Sequence, residues 1–198
     1  MNINDRTTNN SIPDPSCFEI TDAKFDELFN TYRVMIEETS FGKDNVPPSI
    51  SIHYRQFENG MPGDIESALI IIDRDFNDAD EKRDIMRKIG RQCFAKCWIM
   101  VSVCMASEAW MSTRSKDNPN LELAPSKDPS RKECIMIAGR TLMGECKKCC
   151  MIPVSRDQEN KFIKTAEPEI ITSELDTFLL DHLLDGFREA ISKYVGRK

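Results

Sequence analysis

Glu108 and Trp110 stand late in an apolar run, Trp98-Ile-Met-Val-Ser-Val-Cys-Met-Ala-Ser-Glu-Ala-Trp-Met111, and a charged loop follows them. That loop is punctuated by Pro125 and Pro129 and carries Ser126, Asp128, Arg131 and Glu133. A carboxylate in a concave, partly dry place can transfer protons. A guanidinium grips carboxylates through its planar fork. Trp and Arg are also the side chains that most often anchor protein interfaces. Glu108, Trp110, Ser126, Asp128, Arg131 and Glu133 are therefore the candidate binding residues. Arg131 is expected to pair with Glu108 or Asp128, and Ser126 to Asp128 to form a side-chain-to-backbone turn before Pro129. The plainer role for the group is to fasten the loop to a sheet, with Trp110 covering the core edge. No residue is assigned a catalytic role.

The other reactive side chains are less suggestive. Cys146-Lys-Lys-Cys149 is a CxxC, and Cys93 and Cys97 are four apart, so a four-thiolate zinc site is conceivable. Against it, Cys93 continues the apolar stripe of Ile85 and Ile89, and in an extended strand Cys146 and Cys149 point to opposite faces. No metal or cofactor is assigned. The histidines are His53 and His182 alone, and no HExxH or GxSxG pattern accompanies them. The acidic series Asp73, Asp75, Asp78 and Asp80 lacks the central glycine and closing glutamate of a calcium loop.

Ser107-Glu-Ala-Trp-Met111 together with Pro125-Ser-Lys-Asp-Pro-Ser-Arg-Lys-Glu133 resembles a pattern in small uncharacterised proteins of bacteria and their phages. The resemblance spans residues 75–165. It implies a microbial, cytosolic origin and no particular activity. The cysteine-rich segment is not part of that pattern.

The elements that must position these residues follow from periodicity. Thr21 should cap a helix over 21–38, with Phe25, Leu28, Phe29, Tyr32, Met35 and Ile36 inward. Asn77 should cap a second helix with Ile85, Met86, Ile89 and Cys93 inward. Ser173 should open a third, running to Tyr194, with Leu175, Phe178, Leu179, Leu183, Phe187, Ile191 and Tyr194 inward. Strands are expected at Ile50–Tyr54, Ala68–Ile72, Trp98–Met111, Lys132–Arg140, Glu145–Val154 and Lys161–Ala166. In the third strand Ile99, Val101, Val103, Met105, Ala109 and Met111 should share the core face. Ser102, Cys104, Ala106, Glu108 and Trp110 then make a mixed face, partly solvated or binding. Residues 1–16 read as a disordered tail, and 17–198 as a single α+β domain. Its expected form is a mainly antiparallel sheet of five or six strands with three packed helices. The irregular order of helices and strands, without a glycine-rich phosphate loop, argues against a doubly wound nucleotide fold.

Charge and hydropathy narrow the function. A chain of 198 residues with a formal charge of −6 lacks the basic balance that phosphate backbones require, which argues against nucleic acid. No apolar run reaches the roughly 18 residues of a membrane helix, and the first residues are polar. The expected compartment is the cytoplasm, with its cysteines reduced. The reading that follows is a non-enzymatic accessory protein of bacterial, phage or mobile-element origin that binds another protein and inhibits a host system. Two alternatives stay open: an enzyme on a small metabolite or nucleotide using Glu108 and Arg131, and a zinc-stabilised binding module. A free sheet edge would also support a homodimer, although the sequence does not reveal which strand is the edge.

Overall fold

A computed structural model of the protein describes residues 14–58, 61–72, 78–111, 131–144, 146–171 and 178–195. It is an α+β fold of three helices and one curled antiparallel sheet. Helix α1 is Asp22–Ser40, α2 is Ala79–Ala95 and α3 is Phe178–Val195. The strands are β1 Ser49–Glu58, β2 Met61–Ile71, β3 Ile99–Met111, β4 Lys132–Thr141, β5 Lys147–Arg156, β6 Phe162–Lys164 and β7 Glu169–Ile171. Their order is β2-β1-β3-β4-β5-β6, and β7 pairs with the other half of β5. The sheet thus has the expected six strands in line and a short seventh beside them. The extra one, β7, is only three residues long and follows Pro168, too short to show a period.

The local chemistry explains where the helices start and stop. Thr21 caps α1 by accepting the Lys24 N–H at 3.2 Å. The cap of α2 is Asp78, not Asn77: its carboxylate accepts the N–H groups of Asp80 and Glu81 at 2.8 and 2.9 Å. At the other end of α2, Trp98 N–H bonds to the Cys93 carbonyl across a left-handed Cys97, φ 60°. This is a Schellman closure with cysteine in the place glycine usually takes. Ser173 lies outside the described residues. A 3-10 turn over Pro15–Phe18 straddles the expected end of the tail, with Pro15 and Ser16 on the tail side and Cys17 and Phe18 buried at the start of the domain.

Two apolar clusters lie on opposite faces of the sheet. One joins Met86, Ile89 and Cys93 of α2 and Leu180, Leu183, Leu184 and Phe187 of α3 to Ile50, Ile52, Val103 and Met105. The other joins Phe25, Phe29, Tyr32 and Ile36 of α1 to Cys104, Ala106, Ile135, Ile137, Cys150, Ile152, Val154 and Phe162. The mixed face of β3 is therefore core as far as Ala106, and only beyond it does the strand emerge. A register shift between His53 and Tyr54 also corrects the pattern at the start of β3. It brings Met100 into the α2–α3 cluster, to which Val101 does not belong. Tyr194, expected inward, is 37% exposed and meets the edge of Phe94 at the rim.

Glycines set the closest approaches. A Cβ on Gly90 of α2 would lie 2.0 Å from the Leu183 carbonyl, and one on Gly186 of α3 would lie 2.2 Å from that of Arg87. The two helices touch backbone to backbone at this pair. Gly139 in β4 gives the same freedom on the other face, where Phe29 of α1 lies over it.

Candidate functional site

Beyond Ala106 the α1 face of the sheet runs out of helix to cover it. Alternation carries Glu108 and Trp110 of β3, Glu133 of β4 and Arg156 of β5 onto this margin. Trp110 and Glu133 are direct cross-strand partners. Four of the six predicted residues are thus described, and the fold gathers them at one end of the β3–β4 pair. Ser126 and Asp128 lie outside the described residues.

Arg156 organises the margin, and sequence reasoning missed it. Its Nε donates to both Glu133 oxygens at 3.2 and 3.0 Å, and its Nη2 donates to Oε1 at 2.6 Å. Nη1 reaches the carbonyls of Asp44 at 2.7 Å and Asn160 at 3.2 Å. Nη2 also lies 3.7 Å from Glu108 Oε2, and the guanidinium sits 4.1 Å from the centre of the Phe162 ring. The hydrogen bond to Glu133 and the neighbouring carboxylates raise the Arg156 pKa above its usual value. The available signal was position: Arg156 continues the even-numbered stripe Cys150, Ile152, Val154 off the end of the core.

Glu108 has a second attachment, since its Oε1 accepts the Val46 N–H at 2.6 Å. Val46 and Asp44 belong to the segment between α1 and β1, and Gly42 and Lys43 exchange backbone bonds with Phe162. The acidic pair and Arg156 therefore clasp the α1–β1 connection to the sheet, a fastening role for Glu108 and Glu133. Both Glu108 oxygens face donors, which leaves little for proton transfer.

Trp110 and Arg131 stand differently. Trp110 is 43% exposed, and the Arg131 guanidinium lies 4.4 Å from its ring centre. This is a cation–π stack on the solvent side of a braced strand pair.

The remaining candidates fall elsewhere. His53 is buried, with Nδ1 2.8 Å from Ser102 Oγ and Nε2 3.2 Å from Ser51 Oγ. Both hydroxyls are buried as well, so the group is a satisfied core histidine. Burial pulls its pKa down to about 4. Cys146 packs beside the α1 cluster and Cys93 lies in the α2–α3 cluster, so the two halves of the imagined zinc site are on opposite faces of the sheet. All eight cysteines are free thiols, and among the described residues no group of His, Cys, Asp and Glu converges as metal ligands. An open cleft of about 310 Å³ lies at the start of α1, lined by Glu19, Ile20, Thr21, Lys24, Arg55 and Ile65. None of the predicted residues lines it. No described helix is long and apolar enough to cross a membrane.

No family model matches the chain, nor does any curated protein or solved structure.

Proposed function

We propose that the protein is a non-enzymatic interaction module that captures another protein through Trp110 and Arg131. The observation that carries this reading is the exposed Trp110–Arg131 stack on strands held by Arg156. Large aromatic and guanidinium groups dominate binding hot spots. A pair already stacked and mounted on braced strands loses little conformational freedom when a partner arrives. The enzymatic alternative draws less support, because Glu108 is engaged by Val46 and Arg156. For the same reason the acidic pair has little capacity left to receive a partner's basic groups. An inhibitory role would therefore rest on the tryptophan rather than on carboxylates. The resemblance of Ser107–Met111 and Pro125–Glu133 to small bacterial and phage proteins supports a microbial accessory protein.

The test is capture from microbial extract on immobilised protein. Trp110→Ala and Arg131→Ala should each lower recovery of the same partner by at least about tenfold, the loss expected of a hot-spot residue. Their thermal unfolding should stay close to that of the wild type. Undiminished recovery by both variants would refute the reading.

A further inference from the structure

The sheet ends on one side at β2, an edge strand eleven residues long whose outer side carries no further strand among the described residues. Proteins usually guard such an edge with proline, charge or a bulge, because its backbone groups invite another strand. The first half of β2 is guarded by Pro62, Asp64 and Glu66. The second half, Ser67-Ala-Leu-Ile-Ile71, has no such guard. Leu69 and Ile71 lie on one face, 49% and 58% exposed, and Ala68 and Ile70 on the other pack against the α2–α3 cluster.

We infer that Ser67–Ile71 pairs antiparallel with a second copy of the same segment, across a two-fold axis through Leu69, and joins two sheets into one. Three features favour a second copy over an unrelated strand. First, the segment complements itself in size: about Leu69, Ser67 faces Ile71 of the second copy and Ala68 faces Ile70. Side chains directly opposite across two strands are in contact, so the large Ile71 and Ile70 meet the small Ser67 and Ala68 without crowding and bury apolar area. Second, this register keeps Asp64 and Glu66 outside the paired stretch, so no acid opposes an acid. In a chain with a formal charge of −6, a register centred on the first half would place them together. Third, both faces gain at once. Leu69 and Ile71 of the two copies form a closed apolar patch on one face. Ala68 and Ile70 extend the existing α2–α3 core on the other. The interface is isologous, so it closes as a dimer rather than propagating. It is also separate from the Trp110–Arg131 stack on β3 and β4.

Sedimentation velocity of the full chain under reducing conditions tests the inference. The wild type should run at twice the 22.7 kDa chain mass at micromolar concentration. Leu69→Lys should return it to the single-chain mass. Met61→Lys, a change at a still more exposed residue on the guarded half of β2, should leave the dimer intact. A wild type that stays monomeric, or a dimer that survives Leu69→Lys, overturns the proposal. Should Leu69→Lys fail to fold, amide exchange of the wild type decides instead. Protection of residues 67–71 should rise with protein concentration, and protection independent of concentration overturns the proposal equally.

Discussion

Arg156 is the residue on which the margin of the sheet depends. Replacing it with alanine leaves Glu133, largely buried, without the fork it accepts from, and releases Asp44 and Asn160. Arg156→Ala should cost about 2 kcal/mol, in the range for breaking a charge-assisted, part-buried pair, and Arg156→Lys should recover less than half. Chemical denaturation of the three proteins checks this. His53 makes a separate prediction. Its pKa is about 4 in the fold against 6.5 for the free side chain. As pH falls below about 6.5 the unfolded chain takes up the proton first. The stability of the neutral core histidine is thus present above that pH and lost progressively down to about 4. The loss sums to roughly 3 kcal/mol. His53→Gln should flatten that part of the pH profile of unfolding, and an unchanged slope would show that other groups set it. At this scale the sequence singled out Glu108, Trp110, Ser126, Asp128, Arg131 and Glu133 because a strand end and the charged loop after it place them together, and Ser126 and Asp128 lie outside the described residues. It hid Arg156, which lies on a third strand and is recruited only when the pairing of β4 with β5 is known.

At the scale of elements, helix periodicity and capping chemistry were legible because they are local. All three helices stand where their apolar spacing puts them, with the α2 cap displaced by one residue to Asp78. What could not be read was which helix meets which face, because that depends on pairings between strands far apart in the chain. The mixed face of β3 looked half solvated only because α1, more than fifty residues earlier, is what covers Cys104 and Ala106. The glycine contact between α2 and α3 gives a sharp test. Gly90→Ala or Gly186→Ala would drive a methyl group into facing backbone. Each should cost about 3 kcal/mol, at the upper end of overpacking. Cys97→Gly works in the opposite direction, relieving the left-handed residue at the end of α2 and raising stability by about 0.5 kcal/mol. Thermal denaturation of the three variants should therefore rank Cys97→Gly above wild type and both alanine variants below it.

For the molecule as a whole, the fold class followed from composition and the order of elements, whereas the order of strands in the sheet did not. The eight thiols offer a global check on the packing. Seven are buried or half-buried, burial raises the pKa of several of them, and Cys97 is the exposed one. A thiol reagent added to native protein should label Cys97 well ahead of the rest, and all eight only after denaturation. Rapid labelling of Cys104 or Cys150 would mean that the sheet interior is open. The cluster beneath α1 has a consequence for how the chain is made. Phe25, Phe29, Tyr32 and Ile36 leave the ribosome well before Ile152 and Phe162, and the surface they rest on is not complete until those two have emerged. Until then α1 carries an uncovered greasy stripe, an invitation to holding chaperones. A nascent chain halted before β5 should bind such a holdase through α1 and let go once translation passes Phe162.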